Sequence, residues 1–336
     1  MKKSTLLILL LALATIIMLS IGLLRRQSTP ATEDVRIYVP SGSSFSTLAD
    51  TLEAHNLLAS RGIFASASKL RGLDKHVKSG SYLIHPHTGL IPLIQKLYAG
   101  NQDAIRITIN RHRTVEQLCE FLGSKLELSA DTLLALMLTD TVCARYGETP
   151  QTIIGMFPQN TYEYYWNISP NKLLNKMHQE SLRFWEKREG KLAQLHLTRQ
   201  QVITLASIVE EETNANDEKA DIASVYLNRL HINMPLQADP TVKFAIGDFS
   251  IQRIKAYMLL TDSPYNTYMH AGLPPGPICI PSAASIDAVL QNKHTDYLYF
   301  CAKEDFSGHH NFATTLAQHQ ANAARFHAAL NQRNIK

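Results

Sequence analysis

Cysteine is scarce in this chain, with four among 336 residues at positions 119, 143, 279 and 301. They are widely spaced and form no CxxC pair, so they point to neither a disulfide framework nor a thiolate metal site, and we expect buried thiols. The 14 histidines are scattered without HExxH or a similar ligand spacing, so no metal is expected. P-loop, zinc-finger and glycine-rich dinucleotide patterns are absent, and no cofactor is expected. Excess charge is also missing. A net +4, with lysine and arginine dispersed, gives no footprint for nucleic acid. What remains, 45% hydrophobic and 18% charged over this length, is a globular chain with material for two or three domains.

The first 26 residues differ in kind. Thr5 to Leu24 is an unbroken run of 20 uncharged, mostly apolar residues between Lys2 and Lys3 on one side and Arg25 and Arg26 on the other. As a helix it would span about 30 Å, the thickness of a bilayer's hydrocarbon core. A cleaved signal peptide would have a shorter apolar region and a small-x-small site, which Ile21 to Arg26 does not offer. An uncleaved anchor is therefore expected over residues 1–27, amine end cytoplasmic and the body of the chain outside. Gln27 to Glu33 then reads as a short linker.

Beyond the linker the chain repeats itself at an offset of 70. Arg36, Ile37, Val39, Ser44, Phe45, Leu48, Ala49 and Leu52 face Arg106, Ile107, Ile109, Thr114, Val115, Leu118, Cys119 and Leu122. Each copy predicts a short alternating strand, a Ser or Thr cap and an amphipathic helix. Between the copies we expect a helix near Ile63 to Arg71, a strand over Ser81 to Ile84 and a helix from about Ile91 to Tyr98. By order of elements, strand, helix, helix, strand, residues 28–103 resemble the glycan-binding LysM module; a purely structural α+β spacer would have the same order. A further unit is expected over 104–168. It ends in the ring-rich stretch Phe157, Tyr162, Tyr164, Tyr165 and Trp166, which could stack on sugar faces or form an aromatic hinge.

Ser169 and Pro170 open a long helix, and residues 169–336 form a mainly helical last domain. Its centre is LASIVEEET, Leu205 to Thr213. Thr198 and Gln201 predict a capping box that starts a helix at Arg199. Leu205, Ile208 and Glu212 fall on one face with Val209 beside them, while Glu210 and Glu211 point elsewhere and can stay in water. Burial among aliphatic groups raises a carboxyl's pKa, which suits Glu212 to general acid work near neutrality. A solvated three-glutamate face without chemistry would carry the same letters. Asp217 is expected to cap the next helix, through about Leu230. In LQADPTV, Pro240 should hold Asp239 extended. The prolines of GLPPGPI, Gly272 to Ile278, should stiffen a cleft wall or a plain connector. A strand over Tyr297 to Ala302, the pair His309 and His310, and a helix from about Thr315 to Leu330 close the chain.

The succession ASIVEEET, SVYLNRL, LQADPTV, YNTY, GLPPGPI, DYLYF and H-x-F-x-T-x-L-x-x-H closely resembles the endolytic murein transglycosylase, or YceG-like, family. The resemblance runs from the anchor to the end and is densest over Leu205 to His319. It implies an α+β chain: a transmembrane helix, a LysM-like module and a mainly helical YceG-like catalytic domain with a cleft. It also implies an inner-membrane protein, active outside the cytoplasm, that cuts peptidoglycan strands internally and has glycan polymerases as natural partners. The family's catalytic glutamate falls on Glu212. Substrate positioning is implied for Gln237, Asp239, Tyr265, Asn266, Tyr268 and His310. The stretch FPQNTY departs from the family's FPDTY by one extra residue, with Asn160 where an aspartate is usual, and His309 stands where glycine is more usual.

Overall fold

The computed structural model describes residues 29–333 together with Thr15. Among these, no helix is long and apolar enough to cross a membrane. The run Thr5 to Leu24, Thr15 apart, and the anchor expected there lie outside the described residues. The fold is mixed helix and sheet, and its contacts divide it into two units. The first holds the chain up to Ile107 with Lys125–Glu127 and Glu163–Ile168; the second holds Thr108–Ser124, Leu128–Tyr162 and Ser169–Lys336.

In the first unit, β1 (Val35–Val39) is followed by α1 (Phe45–Ala54), α2 (Arg61–Arg71), β2 (Gly80–Ile84) and α3 (Leu90–Ala99). β1 and β2 pair antiparallel, from Val35 opposite Ile84 to Val39 opposite Gly80. The period-2 pattern turns Ile37 and Val39 inward against Leu48, Leu52, Phe64, Tyr82, Ile84 and Leu97. Ser44 accepts from Thr47 N and Ser60 from Ile63 N, so α1 and α2 both start on serine caps. The expected strand, helix, helix, strand order is therefore present. The second copy of the repeat is β3 (Ile105–Ile109) and α4 (Val115–Lys125), again started by a hydroxyl, Thr114 Oγ1 accepting from Gln117 N at 3.2 Å.

Helices α5 (Ala130–Met137) and α6 (Asp140–Cys143) lead to β4 (Asn160–Tyr164), which pairs with β3. Phe157, Tyr162 and Tyr164 are buried, and Tyr162 donates to Pro158 O. Those three rings are packing, not a sugar platform. Tyr165 is exposed, and Trp166 lies 5.0 Å from the Tyr38 ring within the first unit.

The rest of the second unit is α7 (Pro170–Glu186), α8 (Glu189–Leu192), α9 (Arg199–Glu212), α10 (Lys219–His231), α11 (Asp239–Ile246), α12 (Ala283–Leu290), the hairpin β5 (Tyr299–Ala302) and β6 (His310–Ala313), and α13 (Leu316–Gln332). α9 begins on the expected capping box, with Thr198 Oγ1 accepting from Gln201 N and Gln201 Oε1 from Thr198 N. It is buried well beyond one stripe. Val202 through Val209 are all buried, eight residues in succession, so neighbours surround the helix on every side. Ser207 makes this possible by sending its hydroxyl to Thr204 O and accepting from Ile278 N at 2.9 Å. GLPPGPI is thereby tied to α9 as a buttress. At Gly276 a β-carbon would sit 2.1 Å from the Gln151 carbonyl oxygen, a backbone atom that cannot yield. Cys119, Cys143 and Cys279 are buried free thiols and Cys301 is partly exposed.

Two local expectations are corrected. Asp239 is not extended but is the first residue of α11, with Pro240 in the first turn, where no amide hydrogen is needed and proline's φ is already helical. α10 is preceded by Glu218 without a side-chain cap, because Asp217 lies outside at an exposed position beside His309. We expect Gly276→Ala to lower stability by about 3 kcal/mol through overpacking against backbone, readable as a loss in denaturation midpoint, whereas Gly190→Ala, in helix α8 with its β-carbon in open space, holds the midpoint or raises it slightly.

Candidate active site

The three successive glutamates at the end of α9 meet three different partners. Glu210 accepts from Lys219 Nζ at 2.9 Å and from the hydroxyls of Ser282 and Ser285, which together hold its carboxyl below the ordinary range against the opposing effect of burial. Glu211 takes a two-point ion pair from Arg113 and a longer one from Arg111. Both side chains are only 12% exposed, so neither stays in water as the helical wheel suggested. Glu212 has a neutral partner. The Tyr226 hydroxyl donates to Glu212 Oε1 at 2.6 Å.

Glu212 lies in a cleft of about 300 Å³. α9 supplies Glu212, α10 supplies Tyr226 and Arg229, and the next segment supplies Leu236, Gln237 and Asp239. Tyr268, Tyr299 and Phe300, and then Leu316 and His319 at the start of α13, complete the wall. Burial is the largest influence on the Glu212 carboxyl and pushes it from an ordinary 4.5 up to about 7. The Tyr226 hydrogen bond works the other way, the Asp239 charge adds to the rise, and Lys243 and Arg229 oppose it. Glu212 is also the last residue of a 14-residue helix, where the macrodipole disfavours negative charge.

Asp239 stands at the opposite kind of helix end, the first turn of α11. Its Oδ1 accepts from the Tyr268 hydroxyl at 2.6 Å. Gln237 is held in the left-handed region, φ 50°, a conformation costing about 1 kcal/mol for a residue with a side chain. Its amide donates to Thr267 O, and the next amide, Ala238 N, donates to Thr267 Oγ1. Thr241 bridges Ala238 O and Thr267 Oγ1, so LQADPTV and YNTY are sewn together beneath the cleft. Arg229 secures the walls. Its guanidinium, nearly fully buried, donates to Leu298 O and Leu236 O, both at 2.7 Å, and lies over the Tyr299 ring.

The structure thus brings Glu212, Gln237, Asp239 and Tyr268 into one cleft. Three expected positioning residues stand elsewhere. Asn266 is fully buried, its amide group spent on Leu259 O, Thr261 O and Tyr268 N, and it shapes the YNTY turn. Tyr265 packs its ring on Phe244, 4.6 Å between centroids. His310 is bound through its amide and Nδ1 to Glu218. Sequence reasoning assigned no role to Tyr226, Arg229, Tyr299, Phe300 or His319. All five sit inside motifs it quoted, SVYLNRL, DYLYF and the closing H-x-F-x-T-x-L-x-x-H, but a motif gives no direction to a side chain. No group of three or more potential metal ligands occurs among the described residues.

The YceG-like family profile matches residues 37–325. The chain belongs to the YceG-like family. Among YceG-like relatives, an endolytic murein transglycosylase of Bacillus subtilis is 30% identical over 316 residues, covering 89% of this chain and 86% of that protein. Endolytic murein transglycosylases of two Streptococcus pneumoniae strains are 26% identical over 320 residues, and this chain spans 58% of their length. A solved structure of a yceG-like protein from Listeria monocytogenes is similar in fold, with TM-score 0.57 and 28% identity over 87% of this chain and 99% of that one.

A raised carboxyl has a thermodynamic signature. Between pH 4.5 and about 7 the folded chain holds a proton on Glu212 that the unfolded chain has released, so this group's contribution to stability falls as pH rises through that window. Glu212→Gln, which keeps an acceptor for Tyr226, should raise the melting temperature at pH 8 and leave it unchanged below about pH 4, a difference that calorimetry at the two pH values would show.

Proposed function

We propose that this chain is an endolytic murein transglycosylase, a lyase that cuts the β-1,4 bond between N-acetylmuramic acid and N-acetylglucosamine inside peptidoglycan strands and leaves 1,6-anhydro ends. The observation that carries the reading is the Glu212 carboxyl, set in a cleft and pushed up to about 7, so that near neutrality it can both give a proton and take one back. Protonated Glu212 donates to the glycosidic oxygen, and the C1–O bond breaks with its electron pair. Positive charge develops at the anomeric carbon of the muramic acid. The carboxylate left behind then takes the proton of the sugar's own C6 hydroxyl as that oxygen attacks C1. No water enters.

Asp239 we assign to electrostatic support and orientation, with Gln237 and Tyr268 as positioning groups. Tyr265, Asn266 and His310 support the cleft from behind, through the packing and bonds described above. A second reading has a specific observation in its favour: Asp239 shares the cleft with Glu212, and a hydrolytic muramidase would use such a second carboxylate as nucleophile or as base for water. A scaffold that holds glycan without cutting is the third. We also propose that Thr5 to Leu24 anchors the chain in the inner membrane with the cleft outside the cytoplasm, on the strength of its length and apolarity. The βααβ core of the first unit we infer to be a LysM-like glycan contact, supported by its element order. Termination of nascent strands is the role this combination serves best, with the glycan polymerases that make those strands as its partners.

Digestion of purified glycan strands with the full chain, followed by mass analysis of the new ends, tests the reaction. We expect anhydro ends, lighter by one water than reducing ends, and activity that declines as pH rises above about 7. Glu212→Gln should lower the rate by about 100- to 10,000-fold, and Asp239→Asn by a smaller factor with anhydro ends retained. Reducing ends, with both variants equally impaired, would establish the hydrolytic reading. Turnover unaffected by Glu212→Gln would leave the scaffold.

A further inference from the structure

We propose that Tyr226 is a positioning residue that confines the proton traffic of the reaction to one oxygen of Glu212. This rests on the transglycosylase reading. The Tyr226 hydroxyl has a single hydrogen, and it is given to Glu212 Oε1 at 2.6 Å. Oε1 is thereby engaged as an acceptor, and Oε2 is the oxygen that carries the acid proton. Tyr226 cannot swing away. It lies on α10 at 1% exposure, with its ring edge-on to Phe300, 5.8 Å between centroids.

The reaction makes unusual use of such an anchor. The Oε2–H bond breaks as the proton moves to the glycosidic oxygen, which departs with the C1–O electron pair. The C6 oxygen then bonds to C1 with its own electron pair, and its proton returns to Oε2. Nothing is oxidised or reduced and no co-reactant is needed. Both transfers must meet the same sugar within one encounter, so a carboxyl that tilted partway about its last bond between them would turn its lone pairs away from the C6 hydroxyl. A donor fixed on Oε1 holds the plane of the carboxylate and keeps the other oxygen aimed at the sugar. Because the donor favours the charged carboxyl, it also keeps Glu212 from being so basic that the first transfer becomes difficult.

The groups facing Glu212 are known from each surrounding element: Tyr226 and Arg229 from α10, Asp239 and Lys243 from α11, Tyr268 from the YNTY turn, and Tyr299 and His319 from the cleft wall. Tyr226→Phe removes one hydrogen bond and leaves the others in place. The test is carboxyl-carbon NMR titration of full-length protein labelled at glutamate, with the Glu212 signal assigned by its loss in Glu212→Gln, alongside the pH profile of kcat/KM on glycan strands. We expect Tyr226→Phe to move the titration midpoint and the alkaline limb upward together by about one pH unit. The rate constant kcat should fall about tenfold or more, with KM little changed. Incorporation of 3-fluorotyrosine at 226, a stronger donor of nearly the same size, should move the midpoint the other way and decides the question should the Phe variant fail to fold. A lowered rate with an unmoved midpoint and limb overturns the proposal and makes Tyr226 packing alone. Wild-type protein that forms no anhydro ends overturns the reaction instead, and the titration then decides the hydrogen bond by itself.

Discussion

Burial of one helix on all sides governs the rest of this structure. α9 is fixed by neighbours around its whole circumference, and Ser207 ties its middle to the proline-rich segment, so the helix has no freedom to rotate or slide. Where α9 stops is then as important as where it runs. Thr213 is fully extended, φ −145° and ψ 144°, and no further turn covers the last residue. Glu212 is left at the negative end of a rigid dipole and at the mouth of a cleft. Its proton affinity follows from that placement together with the desolvation around it.

The neighbouring glutamates show that position alone does not suffice. Glu210 is also largely buried, though less deeply, yet Lys219 and two serine hydroxyls drive its carboxyl downward while Glu212 rises to about 7. Depth of burial and partner chemistry both contribute to the difference. An ammonium next to a buried carboxylate repays its desolvation by direct attraction, whereas a phenol offers one hydrogen bond and no charge. Lys219 secures Glu210, and Arg111 and Arg113 secure Glu211. Three adjacent acids in sequence become two ion-paired carboxylates and one protonatable group.

Much of this was legible in the letters, and the failures have physical causes. The capping box at Thr198, the repeat of strand and capped helix at an offset of 70, and the inward turn of Glu212 all depend on contacts within a few residues, where periodicity and hydrogen-bond geometry are decisive. The fates of Glu210, Glu211, Tyr226 and Arg229 depend on partners far along the chain. Glu210 meets Ser282, Glu211 meets Arg113, Tyr226 meets Glu212 from a separate helix, and Arg229 meets the Leu298 carbonyl. A helical wheel assigns a direction but not what waits there. Asp239 failed for a different reason: the bias of a residue preceding proline toward extended backbone is real but weak, and a helix start outweighed it.

Arg229 shows how the cleft can stay open around a nearly neutral acid. A cation buried this close to Glu212 would, if paired with it, pull the carboxyl down into the range of Glu210. Instead its fork is turned onto backbone carbonyls, Pro235 and Leu236 just before the strained Gln237 and Leu298 at the edge of β5. Burial depresses its own pKa, and its influence on Glu212 ranks below that of Asp239. The same side chain therefore bridges two walls that have no direct covalent reason to face each other. It does so by directed hydrogen bonds that a lysine's single ammonium, without a planar fork, would not reproduce. The walls are held by a charge whose hydrogen bonds go to backbone rather than to Glu212, so the carboxyl keeps its raised proton affinity.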